Sequence, residues 1–164
     1  MTTSAATTAE QNRALIQKFY ESFQRKDAAG MVACYADDVR FTDPVFETLD
    51  GKKAGAMWTM LVGGGGDLRL EFKDVKADDT SGSAHWDAYY TFSGTGRFVH
   101  NSIDAAFEFR DGKITRHVDT FDLHKWAGQA LGLKGKLFGG FGFVQSKIRS
   151  MAAGRLAAYL AKNP

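Results

Sequence analysis

SAHWDAYYTFSGTGRFVHNSIDAAFEFRDGKITRHVDTFDL, residues 83–123, alternates apolar and polar side chains almost without a break, interrupted at SGTG and RDG. A period of two sends successive side chains to opposite faces of a strand, and both interruptions are short enough for tight turns. The segment therefore predicts three antiparallel strands. LRLEFKDVKA, residues 68–77, adds a fourth ahead of them across DDTSG. The residues before Asp67 read differently. From Glu10, the positions Leu15, Phe19 and Phe23, with Ile16 and Tyr20 alongside, recur at helical spacing, and that helix is expected to stop near Lys26–Asp27. Asp27 can cap a second, short helix, AAGMVACYA, with Met31, Val32 and Tyr35 on its buried side. VRFTDPVF predicts a short strand running into a proline turn, LDGKK a further turn, and AGAMWTMLV a third helix. Helices first and strands afterwards is the pattern of an α+β domain, a curved sheet with helices packed on one face.

The tail changes character again. HKWAGQALGLKGKLFGG is punctuated by glycine, and FVQSKIRSMAAGRLAAYLAKN predicts a helix with Val144, Ile148, Met151, Leu156 and Tyr159 on one side. Lys147, Arg149, Arg155 and Lys162 make that helix basic. A basic amphipathic helix can lie on an anionic membrane, but docking on its own domain or on a partner subunit is the preferred reading.

Composition sets the outer bounds. A chain of 164 residues suits one domain with a real core, and 44% hydrophobic with 24% charged residues is ordinary for a globular protein. The net charge of +2 gives no argument for a nucleic-acid partner. The single cysteine, Cys34, excludes an internal disulfide and is read as a core residue rather than a nucleophile. The N-terminus lacks a basic stretch followed by an apolar run, and no segment is long and apolar enough to span a bilayer, so a cytoplasmic location is expected. GGGG at 63–66 lacks the lysine and spacing of a phosphate loop. Residues 1–9 read as a frayed start, 10–132 as the domain, and 133–164 as its C-terminal helical extension.

Three segments carry a resemblance: FYESFQRKDAAGMVACYADDVRFTDP (19–44), the DG at 50–51, and FEFRDGKITRHVDTFD (107–122). With this order of elements, the chain resembles the nuclear transport factor 2-like superfamily, in its SnoaL-like polyketide cyclase and ketosteroid isomerase-like branches. The resemblance implies a cone-shaped curved antiparallel sheet with N-terminal helices enclosing a cavity, and commonly a homodimer through the outer sheet surface. The superfamily spans isomerases, cyclases, epoxide hydrolases, dehydratases and non-catalytic binding domains, so fold alone does not choose an activity.

Carried over by position, the aspartate before the DP proline, Asp43, is the isomerases' general base. Their oxyanion tyrosine falls on Phe19. Tyr20 is one residue and about 100° away and is expected to face elsewhere. Their protonated aspartic acid falls on Ala105, with Asp104 pointing to the opposite face. Two of three positions differ, which argues against steroid isomerisation. SnoaL-like cyclases carry an acid/base aspartate on the last strand, for which Asp119 is the counterpart. His117 precedes it by two residues on the same face, roughly 6–7 Å along the strand. Imidazole suits proton transfer near neutral pH, and a neighbouring carboxylate would orient it.

The candidate catalytic set is thus Asp43, His117 and Asp119. Phe19, Trp58, Trp86, Ala88, Tyr90, Asn101, Ile103, Ala105, Phe107 and Phe121 line the expected apolar pocket for a small hydrophobic ligand. Each admits a plainer reading: Asp43 as a cap on backbone N–H groups before Pro44, His117–Asp119 as a buried structural pair, and the apolar set as a filled core. No cofactor or metal is expected, since no HxxxH or Cys/His cluster occurs. An Asp–Arg–Asp epoxide hydrolase arrangement is not evident, because Arg116 is on the wrong face and Arg97 is near a turn. Asp122 and His124 read as surface or helix-start residues, and His85 and His100 as outer-face residues. The alternatives are an acid/base enzyme of isomerase, cyclase, dehydratase or epoxide hydrolase type, and a non-catalytic ligand-binding or dimerisation domain.

Overall fold

The computed structural model describes residues 4–164, so the first three of the nominally frayed residues 1–9 lie outside it. Of the rest, Thr8 and Ala9 are already helical. Helix α1 spans Thr8–Gln24 because Thr7 and Glu10 close a capping box, each side chain bonding the other residue's backbone N–H. The buried residues Ile16, Phe19, Tyr20 and Phe23 follow the i, i+3, i+4, i+7 rule. Tyr20 therefore faces the interior, contrary to expectation. The buried stripe is centred between positions 19 and 20, and Leu15 lies at its edge.

Lys26, at φ 57°, reverses the chain, and Asp27 caps α2 (Ala28–Val32) through Oδ1 on the Gly30 N–H at 2.9 Å. This helix is shorter than AAGMVACYA. Met31 is buried, Val32 is exposed, and Tyr35 opens strand β1 (Tyr35–Asp43) instead of extending the helix. β1 turns through Pro44 into an unforeseen short strand β2 (Glu47–Asp50), and α3 follows over Lys52–Val62.

The alternating runs form the expected antiparallel meander: β3 (Arg69–Ala77), β4 (Ser81–Phe92), β5 (Arg97–Arg110) and β6 (Lys113–Thr120). Helix α4 (Leu123–Leu131) is capped by Asp122 on the Lys125 N–H, and α5 (Leu133–Phe138) and α6 (Gly142–Lys162) complete the chain. The sheet order is β2-β1-β6-β5-β4-β3, with β1 parallel to β6. That parallel pairing, invisible in local periodicity, brings the two strands bearing the candidate residues side by side.

One face of the sheet is closed by α1 against β3 and β4 and by α3 against β1 and β2. Between them lies a core of Phe19, Tyr20, Phe23, Phe41, Trp58, Trp86 and Phe107, each nearly or fully buried. Helix α6 packs on α3 and seats Leu156 in this core. Val144, Ile148 and Tyr159 are half-buried, but Met151 is exposed, so the expected apolar stripe is correct except at Met151, which sits at its margin. No helix among the described residues is long and apolar enough to cross a membrane.

Candidate functional site

Two rows of side chains cross the inner face of the sheet. The register pairs Phe41 with His117, His117 with Phe107, and Phe107 with Gly82. Two residues along, Asp119 pairs with Ala105, and Ala105 with Ala84. The β1–β6 register runs to Thr42–Val118, and the next residues on the two strands are Asp43 and Asp119, near enough for the Asp119 charge to act on the Asp43 carboxyl.

Behind them runs a buried polar chain. Trp58 donates its indole N–H to the Tyr35 hydroxyl oxygen at 2.8 Å. That hydroxyl lies 2.8 Å from His117 Nδ1, and His117 Nε2 lies 2.9 Å from Asp119 Oδ1. Trp86 adds a longer N–H contact to the same carboxylate oxygen at 3.4 Å. A carboxylate only accepts, so an ionised Asp119 takes the His117 Nε2–H, and a neutral imidazole in that tautomer then accepts the Tyr35 O–H at Nδ1. Burial holds the Tyr35 hydroxyl well above its ordinary pKa, so it keeps the proton it donates. His117 is 0% exposed, stacked on Trp58 and edged by Phe19 and Phe41, with both ring nitrogens engaged. In this arrangement His117 holds Asp119; it does not reach solvent.

Asp43 is different. Its Oδ1 accepts the backbone N–H groups of Val45 at 2.9 Å and Phe46 at 2.5 Å, which is the local turn that an Asp before Pro can make. Its Oδ2 makes no hydrogen bond among the described residues, and the side chain is half-buried. Burial foremost, with the Asp119 charge adding to it, raises this carboxyl to about 6 against the opposing effect of the two N–H groups and His117. The β1–β2 turn is braced from outside by α6, where Arg149 Nε donates to the Pro44 carbonyl at 2.9 Å.

The residues foreseen as pocket lining share the interior. Phe19, Trp58, Trp86, Ala88, Ile103, Ala105 and Phe107 are buried and in one cluster, with Tyr90 and Phe121 half-buried against it. Tyr90 accepts the Trp126 indole N–H at 2.6 Å and so is tied to α4. Asn101 is buried, and its amide makes no side-chain hydrogen bond among the described residues. His85 and His100 lie on the outer face, bonded to Asp104 and Asp87 respectively at 2.8 Å. Arg97 is bound to the Gln129 carbonyl and Arg116 is exposed, so neither joins Asp43 and Asp119.

Sequence reasoning missed two groups. Tyr35 was assigned to a helix. Tyr20 has a fully buried hydroxyl without a partner among the described residues, and desolvation followed by the Asp119 charge raises its pKa well above the ordinary value. An unpaired buried hydroxyl is costly, so Tyr20→Phe is expected to raise stability by about 1 kcal/mol in urea unfolding. A loss of more than about 1 kcal/mol would show that the hydroxyl has a partner.

The model of the SnoaL-like domain family matches residues 16–117, more than half of the chain. No curated protein matches the chain. Among solved structures, a candidate polyketide cyclase from Xanthomonas campestris is 25% identical, with 76% of this chain and 99% of that one covered at a TM-score of 0.64. An LEH-like epoxide hydrolase of M. tuberculosis is 19% identical (82% and 100% covered, TM-score 0.63), and a candidate ketosteroid isomerase from Kribbella flavida is 23% identical (72% and 82% covered, TM-score 0.58). These two likenesses speak for the fold alone. With helices over a curled six-stranded sheet and a family match that runs from α1 through Asp43 to His117, the chain belongs to the SnoaL-like domain family, on the fold shared with ketosteroid isomerase-like and nuclear transport factor 2-like proteins.

Proposed function

We propose that this protein moves a proton on a small hydrophobic molecule, with Asp43 as the base. Asp119 is the neighbouring charge that tunes it, and His117 positions Asp119. The observation that carries this reading is the Asp43 carboxyl: one oxygen pinned by two backbone N–H groups, the other free, and a pKa raised to about 6. A base works best with a pKa near the operating pH, so this group is largely ionised at pH 7 yet readily protonated and deprotonated. In the proposed step, Asp43 Oδ2 takes a proton from a carbon or oxygen of the ligand, the bond pair stays on the ligand, and the proton is returned at the same or another atom. Isomerisation, aldol-type cyclisation and dehydration all contain such a step; in epoxide hydrolysis the same base would take the proton from the attacking water, and the opened epoxide oxygen would receive one. The apolar set from Phe19 to Phe121, packed together as core in this structure, would part to hold the ligand's hydrocarbon, with Asn101 and Tyr20 as uncommitted polar handles. In the same reading the protein works as a cytoplasmic homodimer, needs no cofactor, and keeps Cys34 as a buried free thiol.

The test uses the full chain in D₂O with panels of hydrophobic enones, β-hydroxy ketones and epoxides, followed by mass spectrometry. Turnover or deuterium uptake with one class, reduced at least about 100-fold in Asp43→Asn, supports the reading. Equal activity in the variant overturns it. A second reading, a non-catalytic ligand-binding domain, is favoured by the complete enclosure of His117. It is supported if panel members raise the melting temperature without being converted.

A further inference from the structure

The last 42 residues differ from the rest in charge and in surface. From Leu123 to Pro164 there are seven Lys or Arg and no Asp or Glu, whereas residues 1–122 hold fourteen against nineteen. Among the described residues, Lys125, Lys134, Lys136, Lys147, Arg155 and Lys162 form no ion pair; only Arg149 approaches a carboxylate, Glu47, at 3.7 Å. The same segment holds six of the nine large hydrophobic side chains exposed among the described residues: Leu133, Leu137, Phe138, Phe141, Phe143 and Met151. Phe143 is 73% and Leu133 71% exposed.

These side chains point outward for a packing reason. Gly135 and Gly139, one helical turn apart, seat α5 directly on α4, and a Cβ at either would collide with α4 or with α5 itself: Gly135 meets the Ala127 carbonyl, and Gly139 meets the Gly135 carbonyl. His124 Nε2 fixes the contact by donating to the Lys136 carbonyl at 2.9 Å. With the glycine face turned inward, Leu133 and Leu137, also one turn apart, face away. At the α5–α6 corner the rings of Phe138, Phe141 and Phe143 form a contiguous set, with centroids 6.1 and 5.9 Å apart. Lys134, Lys136 and Lys147 flank this set in sequence, and all three are exposed.

We propose that the α5–α6 corner is a docking surface for an anionic lipid bilayer, into which the Phe and Leu side chains insert while the lysines meet the headgroups. Apolar insertion together with cationic attraction is the physical basis of interfacial binding, and long lysine stems keep their charge at the headgroup level. A second copy of the chain is a poorer occupant, because a self-paired patch would set one uncompensated cationic segment against another. Nucleic acid is poorer too: Leu133, Leu137 and Met151 give no stacking platform for bases.

The experiment is flotation of the full-length protein with phosphatidylcholine vesicles, with and without about 30% phosphatidylglycerol, at low and high salt. The expected result is binding to the anionic vesicles at least about tenfold stronger than to the neutral ones and weakened by salt. Phe141→Ser with Phe143→Ser, and separately Lys134→Glu with Lys136→Glu, are each expected to lower it at least about tenfold with an unchanged melting temperature. The lipid and salt comparison needs no variant and stands if either pair fails to fold. The proposal is overturned if the protein stays out of the vesicle fraction at low salt, or if the Phe pair leaves binding intact. It is equally overturned if the only change is a smaller species on sizing, or if RNA is retained in place of vesicles.

Discussion

Asp43→Asn is expected to make the protein more stable above pH 6 while removing its proton-transfer activity. The carboxyl sits at about 6 in the folded chain against an ordinary 3.8 in the unfolded one. Between those values the folded state binds more protons than the unfolded state, so this group's contribution to stability falls as pH rises from about 4 to 6. Above pH 6 the ionised carboxylate is carried at a cost, at most about 3 kcal/mol for a shift of that size and about 1–2 kcal/mol once partial exposure is allowed for. Asparagine removes the charge and keeps an oxygen for the Val45 and Phe46 N–H groups. Melting at pH 8 should therefore rise by about 3–6 °C in the variant, and the difference should vanish below pH 4. A variant less stable at every pH would mean that the carboxylate serves only its turn. The signature is gain of stability with loss of activity, which a purely structural residue would not give.

The second large effect concerns His117. Its replacement by Ala would leave the Tyr35 O–H without an acceptor and Asp119 Oδ1 with only the longer Trp86 N–H, and would open a void against Phe107, whose ring lies 4.4 Å away, centroid to centroid. Breaking a buried polar pair and creating a cavity together cost about 3–5 kcal/mol. Urea unfolding should register that loss, and the variant would be substantially unfolded at 25 °C only if the parent lies near the low end of ordinary stability, about 5 kcal/mol. His85→Ala, which removes an outer-face imidazole beside Asp104, should cost about 1 kcal/mol or less. Similar losses at the two positions would show that the interior chain is not the anchor it is described as.

The sheet was largely legible because its information is local. Alternation in residues 68–123 gave four strands and their inward residues, and Trp86, Ile103, Ala105 and Phe107 are buried on that face. Asp27 reads correctly as a cap, and Asp122, expected at the surface or a helix start, does cap a helix start, because a capping oxygen acts within three residues. The parallel β1–β6 contact was not legible, since it joins residues far apart in the chain and no periodicity specifies it. Tyr35 was misplaced because a register irregularity between Tyr35 and Arg40 interrupts the alternation that would have marked it as strand. Helices α4 and α5 were obscured by Gly128, Gly132 and Gly135, which lower helix propensity but permit the close α4–α5 contact. The candidate site was legible in its residue types. Its division of labour, with His117 sealed inside and Asp43 left with a free oxygen, required the geometry.

The most direct measurement is the pH titration of the Asp43 side-chain carboxyl by ¹³C NMR in the full-length protein, compared with Asp119→Asn. Burial and the adjacent Asp119 charge both raise this group, so the predicted midpoint is about 6 and should fall when the Asp119 charge is removed. A wild-type midpoint at or below the ordinary 3.8, unmoved by Asp119→Asn, would contradict the assignment of Asp43 as the base.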